Sequence, residues 1–379
     1  MNLLEYFQEQ QTNMVDALRV LVHHESPTNS KSLMDVLADY IALRFQRVGV
    51  QAQVLDNPYG GNHVRVDCCP EGVDENAKPG LIICHFDTVW PEGTLETMPF
   101  YTQDDCAYGP GTYDMKASIV MVEFALRAMR DLEQFPTRPL VLLLNSDEET
   151  GSPTSRDLIE KQAAESEYVF VMEPSLIQGG VKTSRKGVGY FEMVAQGLSA
   201  HAGVEPEKGR SAIVEIAHQI QTLHALNDYE VGTTVNIGVV DGGTRSNVVP
   251  ERAHLIIDTR AWTQEEADRV THAILTLQSQ TEGVQVRTWG GFNRPPMPRS
   301  PHVLRLYEKV AAVAADLEME LPEYGVGGGS DANLTAAIGI PTLDGLGPVG
   351  AGAHAAYEHI RLDTWAQRTT LLTSCLLRL

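Results

Sequence analysis

The sequence predicts an α/β protein built from a discontinuous main domain, its mixed central sheet flanked by helices, and an inserted α+β domain. Three observations carry this expectation. Over the first 180 residues, short dense apolar runs alternate with stretches of helical apolar spacing. That alternation then gives way to a strand–helix–strand–strand–helix–strand order. A Pro-rich segment finally leads back to helices and one further strand. A chain of 379 residues also exceeds what one ordinary core organises.

The elements follow in order. Leu3–His23 and Ser32–Val48 carry apolar residues at helical spacing. Leu81–Cys84, Leu140–Leu144 and Tyr168–Met172 are short runs rich in Val, Ile, Leu or Phe, each ending in polar residues. Such runs suit strands buried on both faces beneath covering helices. Helical stretches at Lys116–Leu132 and Ser155–Glu165 separate them. This first part spans 1–180 and reads as a helix-covered sheet. Gly187–Leu198 then reads as a strand, and Ser211–Asn227 as an amphipathic helix with Ile213, Ile216, Ile220 and Leu223 on one face. Thr234–Val240 and Glu251–Ala261 are strands. Thr263–Gln280 is a helix, with Thr263 as its cap and Glu265 and Glu266 in its first turn. Val284–Trp289 closes the series. The order is that of the ferredoxin-like unit. It predicts a lid-like insert over 181–293, about 110 residues and large enough for its own core. Arg294–Pro301 is the expected linker into the second part of the main domain, 294–379. There a helix over His302–Met319, a Gly-rich turn at Gly325–Gly329, a short helix, a strand near Pro341–Leu343 and a helix from Asp363 follow.

The formal net charge is −21. A polyanion of that strength repels phosphate backbones, so no nucleic-acid partner is expected. No apolar run approaches the ~20 residues that cross a bilayer, and no membrane association is expected. Met1–Glu9 is polar, without a basic segment leading into an apolar one, so no secretory signal is expected. Five cysteines, two of them adjacent at Cys68 and Cys69, lack metal-site or disulfide spacing. They read as free thiols in a reducing cytoplasm.

The chemistry-bearing residues cluster at strand ends. Leu81–Cys84 terminates in His85-Phe86-Asp87. Positions two apart in an extended chain point the same way, so His85 and Asp87 face one site together. A carboxylate beside a liganding histidine fixes its tautomer. Gly109-Pro110-Gly111-Thr112-Tyr113-Asp114 forms a glycine-rich loop leading into a helix. Asp114 is either a helix cap or a ligand with two oxygens to share. Asp147-Glu148-Glu149 follows the Leu140–Leu144 run. Neighbouring carboxylates there are costly without cations or hydrogen bonds, and one can ligate while its neighbour stays free as a base. Glu173 ends a third run, and His354 lies in a loop of small residues. Each alone has a plain structural reading. Together, His85, Asp114, Glu149, Glu173 and His354 are hard to explain separately, because open α/β sheets bind ligands beyond their strand carboxyl ends. Imidazole and carboxylate without thiolate suit zinc or a harder divalent ion. Two ions ~3.5–4 Å apart need a shared ligand, and Asp114 is the candidate.

At this point the sequence resembles the zinc exopeptidases that include glutamate carboxypeptidase, acetylornithine deacetylase, succinyl-diaminopimelate desuccinylase and aminoacylase. The similarity runs over essentially the whole chain. It rests on His85–Val89, Gly109–Lys116, Asp147–Gly151, Met172-Glu173-Pro174, Ser199–Gly203, Gly327–Ala332 and the His354 loop. The resemblance implies two Zn²⁺, with Co²⁺ or Mn²⁺ as substitutes. Asp114 would bridge them, His85 and Glu173 would complete one site, and Glu149 and His354 the other. It implies Asp87 as the partner of His85, Glu148 as general base and a cis peptide after Asp114. In the insert it implies His201 as an oxyanion-stabilising residue that reaches a partner subunit's site in dimers. Arg260, Asn247 and Gly327 would be substrate contacts. The expected activity is a carboxypeptidase-type amide hydrolase acting on a small peptide or N-acyl amino acid, through a zinc-bridging water. The expected assembly is a homodimer through the insert. Leu346–Gly350 through His354, with Glu358 four residues later, resembles the glutamate carboxypeptidase branch most closely. One rival is an N-acyl amino acid deacylase of the acetylornithine deacetylase type, which uses the same metals. The other is a catalytically silent binding protein on this fold, against which the intact ligand set argues.

Overall fold

The computed structural model describes residues 1–379. The chain divides into two units. The first comprises Met1–Thr183, Arg299–Gly325 and Ser330–Leu379, and the second Ser184–Pro298 with Val326–Gly329.

The first unit is organised by a mixed eight-stranded sheet. Its order is Gln51–Leu55, His63–Cys68, Leu140–Asn145, Gly80–His85, Tyr168–Val171, Thr342–Asp344, Val181–Arg185 and Glu323–Val326. The Gly80–His85 strand pairs in parallel with Leu140–Asn145 on one side and Tyr168–Val171 on the other. All three strands are buried along their whole length, which explains their lack of polar alternation. Ile82, Leu142 and Phe170 join a core shared with the helices Leu3–His23, Lys31–Val48, Ala117–Asp131 and Trp365–Arg378. Burying a side chain such as Phe170 contributes roughly 1.5–3 kcal/mol. The alternate residues Leu81, Ile83, Leu143 and Val169 face the other way. On that side the short helix Ala332–Ala337 packs on Tyr168–Val171 and Thr342–Asp344. No helix is long and apolar enough to cross a membrane.

Several short strands carried no readable pattern in the sequence. The Gln51–Leu55 and His63–Cys68 hairpin alternates only weakly in burial. A second sheet joins Gly350–Ala351, His359–Arg361, Cys106–Tyr108 and Tyr101–Gln103, strands too short to show a period. Asp104 and Asp105 turn its hairpin with φ of 50° and 56°, the geometry of a two-residue type I′ turn. Tyr101 stacks on Tyr108 at 4.7 Å. This small sheet holds both ends of the 352–358 loop.

The second unit has its own core, built from Phe191, Met193, Leu255, Ile257, Val270 and Ile274 among others. Its strands lie in the order Thr234–Gly242, Arg252–Ala261, Gly187–Gln196, Gln285–Arg294, all antiparallel. With helices Ala212–His224 and Gln264–Leu275, this is the ferredoxin-like topology. The second helix stops at Leu275, short of the expected Gln280. The buried Glu215 carboxylate accepts the Gln280 and Thr281 backbone N–H groups at 2.7–3.1 Å and pulls the chain out of helical form. The segment from Arg294 is not a free linker either. Arg294 ends the last strand, and Met297 is buried and exchanges backbone hydrogen bonds with Arg185 at 3.0 Å.

On the sheet face opposite the helices, His254 lies between two carboxylates, Asp241 at 3.0 Å from Nδ1 and Glu192 at 3.0 Å from Nε2. The Asp241 hydrogen bond, then that of Glu192, raises its pKa. The folded state therefore favours the imidazolium. Its contribution is complete below the ordinary histidine pKa of ~6.5 and is lost as pH rises through the raised folded value. Because the groups are part-exposed, the scale is ~0–1 kcal/mol. The Tm difference between the native chain and His254→Gln is expected to shrink from pH ~6 to ~9; thermal melts that differ equally across that range would contradict it.

Candidate functional site

His85 is the last residue of its strand, and its backbone N–H donates to Met115 Sδ at 3.3 Å. Its Nδ1 meets the Asp87 backbone oxygen at 3.1 Å and the Asp87 carboxylate at 3.4 Å. Its Nε2 points at Asp114 Oδ1, 3.1 Å away, and at Glu173 Oε1, 3.6 Å away. The other Asp114 oxygen, Oδ2, faces His354 Nε2 at 3.5 Å, and that nitrogen also meets Glu149 Oε2 at 3.2 Å. One carboxylate thus stands between two imidazoles, each with a further carboxylate of its own. Ligand atoms of His85, Glu148 and Glu173, and of His85, Asp114 and Glu149, lie within 4.8 Å of one another.

Local structure explains how each side chain arrives. The parallel strands all end at this edge. Met172 N–H bonds Ile83 O at 2.9 Å, setting Glu173 beside His85. The turn Glu148–Thr150 is held from below by Asp147, whose carboxylate accepts from Thr154 and Ser155 backbone and hydroxyl groups at 2.5–3.2 Å. It is held from the side by Asp87, which accepts the Glu148 N–H at 3.2 Å, the Glu149 N–H at 3.1 Å and the Thr28 hydroxyl at 2.8 Å. Asp114 follows Gly111, whose φ of 71° suits glycine, and the Asp114–Met115 peptide is cis. His354 sits at φ 61° in the 352–358 loop.

The electrostatics fit a cationic guest. Burial opposes charge on His85, yet the Asp114 and Asp87 acceptors outweigh it and lift its pKa well above the usual histidine range. The Asp114 and Glu149 acceptors raise His354 to about 10. Burial alone would raise Asp114, but the two imidazoles hold it far below the ordinary carboxylate range. Burial raises Glu149, and its Oε1 is buried without a hydrogen-bond partner. An orphaned carboxylate oxygen beside paired imidazoles and carboxylates, with no thiolate, is a donor set for divalent ions of the zinc type.

Sequence reasoning missed four contributors here: Thr28, Met115 Sδ, Trp90 and the buried Lys116. Trp90 donates its indole N–H to Glu358 at 2.9 Å. Lys116 donates to His24 O at 2.8 Å, and burial lowers its amine to about 7. Glu358 was noted only by resemblance; burial raises its carboxyl to about 7. Thr28 and Trp90 carry no periodic or motif signal, and Met115 and Lys116 lie within the Gly109–Lys116 match without a role read for their side chains.

The residues expected in the insert lie in the second unit. His201 pairs with Val248 in a β-bridge, and Ala202 N–H bonds Asn247 O at 3.0 Å, so the His201 and Asn247 segments adjoin. Arg260 lies in the strand Arg252–Ala261, forked on Asp258 at 2.9 and 2.8 Å. Gly327 has open space where a Cβ would stand.

An α/β sheet with this cluster at its carboxyl edge defines a metal-dependent hydrolase. The chain belongs to Peptidase family M20/M25/M40, whose pattern matches residues 81–378. It is similar to carboxypeptidase G2 of Pseudomonas sp. (strain RS-16), 27% identical over 355 residues that cover 92% of this chain and 84% of that one. Its fold is similar to that of aminopeptidase PepT from Bacillus cereus, with a TM-score of 0.78 at 22% identity over 97% of this chain and 98% of that one. It is also similar to that of the Bacillus subtilis YXEP protein, described as a dinuclear metal binding peptidase from this family, with a TM-score of 0.66 at 13% identity over 98% of each chain.

Asp87 ties His85 to the Glu148–Glu149 turn, so its loss should loosen both. Asp87→Ala is expected to lower zinc affinity by roughly 10–100-fold, measured by competition with a chromophoric chelator. Unchanged affinity in a folded variant would show that the turn needs no such anchor.

Proposed function

We propose that this protein is a two-metal exopeptidase of the carboxypeptidase type, which cleaves the amide next to an amino acid bearing a free α-carboxylate. The observation that carries the reading is the division of Asp114 between His85 and His354. His85, Glu173 and one Asp114 oxygen would hold one ion; Glu149, His354 and the other oxygen would hold the second. Zinc suits the donors, and cobalt or manganese could replace it. Bound there, a pair of divalent cations would acidify a water and polarise the scissile carbonyl.

The remaining work falls to side chains of this chain. Glu148, beside His85 and Glu173 but not needed to complete either ligand set, takes a proton from the attacking water and returns it to the leaving nitrogen. Asp87 orients His85. Arg260 would receive the substrate carboxylate, where a planar fork suits two oxygens better than an ammonium, and His201 would stabilise the oxyanion. Asn247 and the open Gly327 backbone would complete the substrate contacts. The resemblance to an enzyme named carboxypeptidase supports this type over a deacylase. Pairing of two chains along the edge strand Thr234–Gly242, with Val239 and Val240 exposed, would make a homodimer through the second unit.

The deciding experiment is a substrate panel with metal analysis. Chelator treatment should abolish hydrolysis of C-terminal amino acids from N-acyl dipeptides, and zinc, cobalt or manganese should restore it. Turnover of acetylornithine without any release from peptides would overturn the carboxypeptidase reading. Glu148→Gln is expected to lose about 10²–10⁴ in kcat while metal content stays unchanged. Activity within about threefold of the native enzyme would remove Glu148 from the base role.

A further inference from the structure

We propose that Glu358 is a positioning residue for Asp114 and thereby decides whether the centre holds its second divalent ion. The inference rests on the two-metal reading above and concerns a residue to which that reading gives no role.

Glu358 is 1% exposed, and its carboxylate accepts four N–H donors. Oε1 takes the Tyr113 backbone at 2.9 Å and the Asp114 backbone at 3.0 Å; Oε2 takes the Gly111 backbone at 2.9 Å and the Trp90 indole at 2.9 Å. Its own backbone oxygen accepts the Gly109 N–H at 3.2 Å. These donors belong to the segment after the His85 strand and to the Asp114 loop. Glu358 itself lies in the 352–358 loop with His354. One buried carboxylate therefore fastens together three segments, two of which carry ligands of the second ion.

The two ion positions differ in what fixes them. His85 and Glu173 stand at strand ends tied by sheet hydrogen bonds, including Met172 N–H to Ile83 O. Asp114 and His354 lie on loops, and His354 is half exposed. Asp114 serves both positions, but at the first it is joined by two ligands fixed at strand ends, whereas at the second it is joined by His354, on the loop that carries Glu358, and by Glu149, on the turn that Asp87 holds. An amide in place of the carboxylate turns one acceptor oxygen into a donor facing N–H groups, so the Asp114 backbone would shift while the sheet stays intact.

The test is a titration of the full chain, stripped of metal and refilled with zinc against a chromophoric chelator, with circular dichroism as a check on folding. The native protein should take up two equivalents. Glu358→Gln should bind the first within about threefold of the native affinity and the second roughly 10–100-fold more weakly, the range for groups that orient metal ligands. Trp90→Phe removes one donor of four and should weaken only the second equivalent, by a smaller factor. Two native-strength equivalents in a folded Glu358→Gln protein would overturn the role, as would an equal loss at both positions. Should Glu358→Gln fail to fold, an unchanged second equivalent in Trp90→Phe would overturn it. A native protein that binds fewer than two equivalents would instead sink the two-metal reading itself.

Discussion

The structure is organised around negative charge that has nowhere else to go. Asp87, Asp114, Glu148, Glu149 and Glu173 converge at one sheet edge, and four of them are half-buried or deeper. Carboxylates this close repel one another, and burial raises the cost. The carboxylates around the two imidazoles, Asp114 foremost, raise the pKa of both. A site that stabilises protons on two histidines so strongly stabilises any cation at the same place, so acid crowding and metal affinity have one cause.

Such a cluster needs a rigid frame, because a carboxylate free to rotate would turn to solvent. The frame has two anchors, both buried acids that bind backbone rather than metal. Asp87 accepts the two N–H groups of the Glu148–Glu149 turn, and Glu358 accepts those around Asp114. The sheet supplies the third constraint, since parallel pairing of Gly80–His85 with both neighbours fixes where His85 and Glu173 emerge. Hydrogen bonds to charged acceptors are stronger than neutral ones. A few of them therefore suffice to define loops that have no regular structure.

What the sequence revealed follows from this division. The buried parallel strands were legible because burial on both faces leaves uninterrupted apolar runs, and the proposed ligands His85, Glu149 and Glu173 were legible because they follow those runs, whereas Asp114 and His354 stood out only in their loops. The strand order of the second unit was legible from alternation in Gly187–Gln196 and Arg252–Ala261. Asp87 was legible as the partner of His85, but its hold on the Glu148–Glu149 turn and the hold of Glu358 around Asp114 were not. Trp90 and Lys116 match no period, and Glu358 meets Asp114 across 244 residues, a contact that only the folded chain creates. The short strands Cys106–Tyr108 and His359–Arg361 escaped because two or three residues cannot display a period of two. The helix expected to reach Gln280 ended early for a similar reason, since its stop signal is Glu215, far away in sequence.

The second unit raises a different electrostatic question, because a protein of net charge −21 repels the free α-carboxylate of the substrate proposed for it. A cation aimed at substrate must therefore be local and pre-oriented. Arg260 is the residue proposed for that role. Asp258 engages its Nε and Nη2 in a fork at 2.9 and 2.8 Å, which fixes the guanidinium plane on the sheet face. Five N–H donors are available on a guanidinium, so the fork leaves donors for a second carboxylate. Lys186 adds positive charge nearby, its pKa lowered by burial first and then by Arg260, while its amine is tied to Gly232 O. A lysine at 260 would have only a point charge to divide between Asp258 and substrate, and no plane for Asp258 to orient. If Arg260 receives the substrate as proposed, Asp258 would limit binding strength and supply direction.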